Sequence, residues 1–416
     1  MKKICINGGK PLYGETVVQG SKNSVLPILA ASFLTEEACV IENCPDLSDV
    51  HVALEILEGL GCSAEYSDNK VYLYPTASPN YTISDDLMRR MRSSVMFLGA
   101  IRGRCKKARI SYPGGCELGA RPIDIHLRAL RELGVKVVED GGYIDCQVEK
   151  FTPKTLTLMF PSVGATENII LMSAVSQGET VIINPAREPE VVDLQNFLNT
   201  MGANICGAGS DYIRIKGVKK LQGCRYSVIP DRVVAATYAC GVTACGGKIL
   251  LRNVEPCHMQ MLLAQLLDMG ADVRCEDSTI LVEMNKRPLP VPMIKTLPYP
   301  GFPTDMQAPL MAALLKAKGS SVVSETIFEN RFKHVGEFLR MGADIRVEGM
   351  NAYIRGVSHL HGADVEAADL RGGAALTVAG LSARGRTTVS KIHYIDRGYE
   401  DIVRDFKNLG GDIDII

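Results

Sequence analysis

A chain of 416 residues with 46% hydrophobic content holds material for two or three globular domains. Its 46 Lys+Arg and 47 Asp+Glu nearly cancel, so no global field draws it to nucleic acid or an anionic membrane, and any anion site must be local. The 13 cysteines contain no CxxC pair, which excludes a zinc ribbon, a thioredoxin-like motif and a secreted disulfide framework. All but one or two are expected to be reduced thiols packed as small hydrophobes.

The N-terminus, MKKICINGGK, has no apolar h-region and predicts no signal peptide. The apolar run VLPILAASFL (Val25–Leu34) is too short to span a bilayer. From here one pattern recurs six times. An apolar helix opens at SKNSVLPILAA, RSSVMFLGAI, SVGATENIILM, DRVVAATYAC, PTDMQAPLMAA and DLRGGAALTVAG. A strand-like run and turn follow each: ACVIENCP, KARISYPGG, ETVIINPAR, KILLRNVEP, SVVSETIFEN and TTVSKIHYID. Then comes an amphipathic helix ending at Gly61, Gly134, Gly202, Gly270, Gly342 or Gly410, glycines spaced 73, 68, 68, 72 and 68 residues apart. Each stands where a helix favours a left-handed C′ residue, and short β-like segments such as VKVVE, DVRCE and DIRVE come after. The pattern predicts an α/β fold of six repeated units of about 70 residues, with the apolar helices buried beneath sheets.

Only six residues follow Gly410, whereas about 20 precede the first helix at Ser21, and together these nearly fill one inter-unit gap. The N-terminal strands, ETVVQG included, are therefore expected to complete the sixth unit. That predicts two domains of three units, 21–229 and 1–20 with 230–416. The stretch RPLPVPMIKTLPYPGFP (Arg287–Pro303) reads as an extended rim loop of the second.

Helix N-termini offer free N–H groups and a partial positive charge, the makings of an anion site. At or near such ends stand Lys22, Arg92, Arg121, Arg331, Arg371 and Arg397. Each alone reads as a surface cation; recurrence at equivalent positions marks the set. Asp305 in GFPTDMQAP and Asp369 in AADLRGG also open helices, where a plain N-cap is the alternative. The Pro-rich lead-in to Asp305 fixes its backbone, as suits a general base. Cys116, in SYPGGCELGARP, lies among Gly114, Gly115 and Gly119, five residues from Arg121. Glycines let the loop move and neighbouring cations favour thiolate, so a reactive and a structural thiol both fit. GAGSDY at Gly207 lacks a third glycine and reads as a turn. No Walker lysine, GxSxG or Ser–His–Asp arrangement is evident, and the seven dispersed histidines predict no metal site.

The blocks GSKNSVLPILAA, PGGCELGARPIDIH, PSVGAT, AREPEVVD, FPTDMQAP, ENRFKHV, DLRGGAAL and IDRGYED, in this order over essentially the whole chain, resemble the enolpyruvyl transferases. The resemblance implies two similar domains, each an inside-out α/β barrel of three units. With a cysteine in the PGGC loop it implies transfer of the enolpyruvyl group of phosphoenolpyruvate to the 3′-hydroxyl of UDP-N-acetylglucosamine, the first committed step of peptidoglycan synthesis, in the cytoplasm. By the same resemblance Cys116 would protonate C3 of phosphoenolpyruvate and can add to substrate covalently. Lys22, Arg121 and Arg397 would hold phosphate and carboxylate oxygens. Asn23 and Asp305 would address the sugar hydroxyl, Asp305 as base. Arg92, Arg121, Pro122, Ile123, Asp124, Ile125, Ser162, Val163, Gly164 and Ile327 would line the nucleotide-sugar site, with Arg331, Asp369 and Arg371 also binding substrate. Domain closure would exclude water.

The resemblance implies small-molecule substrates and no cofactor, metal, nucleic acid, membrane or obligate protein partner. Two departures stand out. Phe160 occupies a position that is lysine in some relatives, which puts a cationic nucleotide contact there in doubt. An extra glycine beside Arg371 is expected to loosen that helix start. The sister enzyme that accepts shikimate 3-phosphate uses no cysteine acid. A non-catalytic paralogue that keeps the fold would be expected to have lost one of Lys22, Cys116, Asp305 or Arg397.

Overall fold

β-branched runs pair into six separate sheets, five of four strands and one of three, and no sheet is closed among the described residues. The computed structural model describes residues 2–114, 123–148 and 150–416. The chain divides into two compact units, 20–229 and 1–19 with 230–416, so that Gly20 groups with the first. Each four-stranded sheet has three antiparallel strands and one parallel edge strand. In the three-stranded sheet a single parallel bridge, Thr82 to Arg109, stands at that edge.

The two N-terminal strands part company. Ile4–Gly8 inserts between Gly385–Ser390 and Ile413–Ile415, as the short C-terminal remainder suggested. Leu12–Val17 instead pairs in parallel with Gly247–Arg252, in a different sheet from the one anticipated. Within the 20–229 unit, Arg225–Ser227 pairs in parallel with Cys39–Glu42, joining the two ends of that unit's sequence.

The apolar helices lie inside. Arg232–Cys245, Thr304–Leu314 and Leu370–Ser382 pack pairwise in one unit, and Phe97–Cys105 packs on Lys22–Ser32 and Val163–Ala174 in the other. Nearly every residue of Arg232–Cys245 and Leu370–Ser382 is buried, which is why their sequences show no polar stripe. Each unit has its own hydrophobic cluster. The six helix-ending glycines all adopt left-handed φ, between 82° and 95°. GAGSDY is a turn before the strand Tyr212–Gly217, with no helix after it.

A second recurring device went unread in the sequence. Asn43, Asn184 and Asn253 end strands at φ of 53–57°. Their amides donate to the carbonyls of Val228, Leu158 and Val18 at 2.7–2.8 Å, tying each strand end to the segment beside it. Asparagine tolerates the left-handed region better than most residues, and ENCP, INPAR and RNVEP carry that signal. The cysteines also differ from expectation. Of the twelve described, five are buried, while Cys206, Cys257 and Cys275 are exposed.

Gly99 shows how closely the buried helices approach. A Cβ there would lie 2.5 Å from the backbone oxygen of Asn168 and 2.7 Å from its Oδ1. Gly99→Val should therefore destabilise the 20–229 unit by ~1–3 kcal/mol through overpacking, read as a lower urea midpoint. An unchanged midpoint would show that the two helices can separate freely.

Candidate functional site

In the 20–229 unit, Lys22 is the first residue of its helix and only 7% exposed. Its Nζ lies 2.7 Å from Oδ2 of the buried Asp49, on the helix Ser48–Gly59. A cation at that depth needs such a partner. Asn23, beside it, is exposed. Ser24 turns the other way, its hydroxyl donating to Asp193, which also accepts from Tyr226. Burial raises the Asp193 carboxyl above its ordinary range despite those bonds.

Arg92 begins a short 3₁₀ turn and lines one recess with Tyr112, Ile123, Asp124, Arg128 and Arg131. Three predicted residues thus meet two arginines that sequence reasoning passed over. Arg128 is paired with Glu132 at 3.0 Å, and Arg131 with Glu139. Ile125 is half-buried against the core. Ser162 caps the helix Val163–Ala174, its Oγ accepting from Ala165 N at 3.4 Å. Gly164 leaves room for a histidine: a Cβ there would sit 2.9 Å from His126 Cε1.

His126 was also missed. It is buried on the helix Asp124–Glu132, and its Nδ1 lies 2.8 Å from Nδ2 of Asn168. The same amide donates to Val95 O at 3.1 Å, and Oδ1 of Asn168 accepts from Gly99 N at 2.6 Å. With the amide donating, Nδ1 is the acceptor and a neutral ring carries its proton on Nε2. Burial, with Arg92 adding to it and Asp124 opposing, pushes this histidine down to about 4. It is a neutral post joining the Arg92 turn to the Ser162–Gly164 helix start. Phe160, 43% exposed beside Met159, gives this region an apolar rim. Cys116, Arg121 and Pro122 lie outside the described residues.

In the other unit, Pro303 precedes the helix and Asp305 is its second residue, so Asp305 does not cap it. Its two oxygens meet two arginines instead: Oδ1 with Arg331 Nη2 at 2.6 Å and Oδ2 with Arg371 Nη2 at 3.1 Å. Both arginine side chains are 3% exposed, against 29% for Asp305. Arg331 also donates to Thr304 O at 3.2 Å. Burial would lower the Arg371 pKa, but the carboxylate charges of Asp305 and Asp231 oppose it and hold the guanidinium charged. Asp369 is the ordinary cap, its Oδ1 accepting from Arg371 N and Gly372 N at 3.0 and 2.9 Å.

The glycine beside Arg371, Gly372, packs closely rather than loosening this start: a Cβ there would lie 3.1 Å from both Asp369 Oδ2 and His334 Cβ. Ile327 is placed by Glu325, a buried hub missed in the sequence. Glu325 Oε1 accepts from Ile327 N at 2.8 Å and Thr296 Oγ1 at 2.9 Å, and Oε2 accepts from Thr304 Oγ1 at 2.9 Å. The turn bearing Ile327 is thereby tied to the residue before Asp305. Arg397 ends a 3₁₀ turn and is half-buried. The residues after it are held by Gln19, which donates to Gly398 O at 3.3 Å and accepts from Glu400 N at 2.8 Å. His334, buried between Asp369 and Arg331, is lowered to about 4 by burial first.

A carboxylate fixed by two buried guanidiniums, with further cations at helix starts, suits chemistry on anionic substrates by proton transfer. Residues 6–406 match the family described as EPSP synthase (3-phosphoshikimate 1-carboxyvinyltransferase), and the chain belongs to this family of enolpyruvyl transferases. Among curated relatives it is 50% identical over 413 residues to UDP-N-acetylglucosamine 1-carboxyvinyltransferase 2 of Caldanaerobacter subterraneus subsp. tengcongensis, covering 99% of both chains. It is 45% identical over 417 residues to UDP-N-acetylglucosamine 1-carboxyvinyltransferase of Clostridium botulinum, again covering 99% of both. The enolpyruvyl transferase NikO from Streptomyces tendae superposes with a TM-score of 0.90 at 26% identity, covering 100% of this chain and 98% of that one. An EPSP synthase from Acinetobacter baumannii, 18% identical and covering 100% of both chains, shares the fold with a TM-score of 0.77.

The histidines make a pH prediction. An ordinary histidine titrates near 6.5, so above that pH both folded and unfolded chains hold His126 neutral. As pH falls from 6.5 towards 4 the unfolded chain takes up a proton that the folded one refuses, and stability is lost. By pH 5 the loss is about 2 kcal/mol. Asp193 and Glu167, raised by burial, act in the opposite sense. The comparison is therefore with His126→Gln, whose urea midpoint should fall less between pH 7.5 and 5 than that of the parent chain. Equal falls would mean that His126 titrates normally.

Proposed function

We propose that this chain transfers the enolpyruvyl group of phosphoenolpyruvate to the 3′-hydroxyl of UDP-N-acetylglucosamine and releases phosphate, as the first committed step of peptidoglycan synthesis. The names of the 50% and 45% identical relatives support the substrates. The observation that carries the chemistry is Asp305, held off the capping role and bound through both oxygens by Arg331 and Arg371.

In this reading the sugar 3′-oxygen adds to C2 of phosphoenolpyruvate as Asp305 takes the hydroxyl proton, and Cys116 supplies a proton to C3. The tetrahedral adduct then loses phosphate from C2 and a proton from C3, which restores the double bond. Lys22, Arg121 and Arg397 offset the charge of the phosphate and carboxylate groups. Asn23 binds the sugar hydroxyl with Asp305. Arg92, Arg121, Pro122, Ile123, Asp124, Ile125, Ser162, Val163, Gly164 and Ile327 bind the nucleotide sugar, while Asp369, Arg331 and Arg371 shape the second unit's share. Phe160 and Met159 support an apolar rather than cationic contact at their position.

We further read each unit as an inside-out barrel of three repeated helix–sheet groups, supported by the recurring glycines and asparagines and by the inward helices. We place the enzyme in the cytoplasm, acting on small molecules alone. No described helix is long and apolar enough to cross a membrane, and no group of three or more potential metal ligands occurs among the described residues.

Phosphate should be released from phosphoenolpyruvate only when UDP-N-acetylglucosamine is present. Release with shikimate 3-phosphate in its place would overturn the substrate assignment, and release with neither would overturn the activity. Asp305→Asn should lower kcat by about 10²–10⁴-fold, the usual worth of a general base, with a much smaller change in KM. A loss below tenfold would remove Asp305 from that role. A small epoxide analogue of phosphoenolpyruvate should alkylate Cys116 selectively by mass spectrometry, and label spread over other cysteines would argue against an activated thiol.

A further inference from the structure

Two thiols outside the proposed chemistry sit side by side where the 20–229 unit joins its sequence ends. Cys39 begins the strand Cys39–Glu42, and Cys224 immediately precedes the strand Arg225–Ser227. The two strands pair in parallel with Arg225 opposite Val40. One residue earlier, that register sets Cys224 beside Cys39, and Val40 N donates to Cys224 O at 2.8 Å. The same corner is held by Glu37, which accepts from Gly223 N at 3.1 Å and Lys220 Nζ at 2.9 Å. Laterally paired residues project from the same face of a sheet. Neighbouring strands lie about 4.8 Å apart, within the roughly 4.4–6.8 Å between Cα atoms that a disulfide spans.

The Cys39 thiol donates to the backbone carbonyl of Glu37 at 3.9 Å, at the same corner. The neighbouring Cys224 thiol lowers that of Cys39, and Cys39 in turn raises that of Cys224. Cys39 is fully buried and Cys224 half-buried, so the pair has one side from which a small oxidant can approach. Burial raises Cys62, Cys146 and Cys240, which makes these buried thiols poorer nucleophiles.

We propose that Cys39 and Cys224 are a reversible dithiol–disulfide pair, oxidised by a hydroperoxide. One sulfur takes an oxygen from the peroxide, breaking the O–O bond and releasing water, to give a sulfenic acid. The other sulfur displaces that hydroxyl, the S–S bond forms, and a second water leaves with the remaining thiol proton. Two thiols are oxidised by two electrons and one peroxide is reduced. The bond staples Arg225–Ser227, just ahead of the passage to the other unit at Pro230, to a strand near the start of its own unit.

The test uses the purified full chain treated with a small excess of hydrogen peroxide, trapped with iodoacetamide and digested without reduction. A Cys39–Cys224 linked peptide should appear, about 2 Da lighter than the two reduced peptides together and released by dithiothreitol. Cys224→Ser, at the half-buried position, should abolish it, as should Cys39→Ser. Three outcomes would each overturn the proposal: both cysteines recovered alkylated while Cys206, Cys257 or Cys275 is oxidised, a Cys39–Cys62 link in place of the expected one, or separate sulfinic acids on Cys39 and Cys224.

Discussion

The second unit's candidate site depends on one arrangement, a carboxylate at a helix start held through both oxygens by two buried guanidiniums. Burying a guanidinium is costly unless it is paired and hydrogen-bonded, and Asp305 pairs with both Arg331 and Arg371. The arginines in return fix the carboxyl direction, as a proton acceptor requires. Around this core the supports are backbone-directed. Glu325 joins Thr304 to the Ile327 turn, Asp369 caps the helix bearing Arg371, and Gln19 braces the segment after Arg397. The role proposed for Asp305 therefore also depends on Glu325 and Gln19, which are not among the proposed substrate contacts.

The 20–229 unit uses a different device. Lys22 is kept buried by Asp49, while His126 and Asn168 join the Arg92 turn to the Ser162–Gly164 helix start without adding charge. A histidine held neutral next to an arginine lets cations gather for an anionic ligand without one more repulsive charge. The recess where Arg92 meets Arg128 and Arg131 has the same logic, with Glu132 and Glu139 balancing the arginines.

Much of this was legible in the sequence because it rests on local periodicity. The helix-ending glycines, the apolar helices and the cations at their starts are short-range patterns. Asp305 and Asp369 share a place at helix starts; the Pro-rich lead-in marks Asp305 as the different one, and the structure shows that Asp369 alone caps its helix. The destination of Leu12–Val17 was misread, since counting residues cannot tell which sheet an edge strand joins. His126, Asn168 and Glu325 act through partners 42 to 73 residues away or through a turn of irregular backbone, and periodicity carries no such information. Gly372 differs from expectation for a related reason: glycine reads as looseness in sequence but here sits in close packing.

Enolpyruvyl transfer by addition and elimination requires that a proton enter and leave C3. The most direct measurement is to run the reaction in D₂O and examine the product's vinyl methylene by NMR. Deuterium should appear at that carbon, because the adduct's C3 gains a solvent-derived deuteron before elimination restores the double bond. Product formed at full yield with no deuterium in the methylene would contradict it.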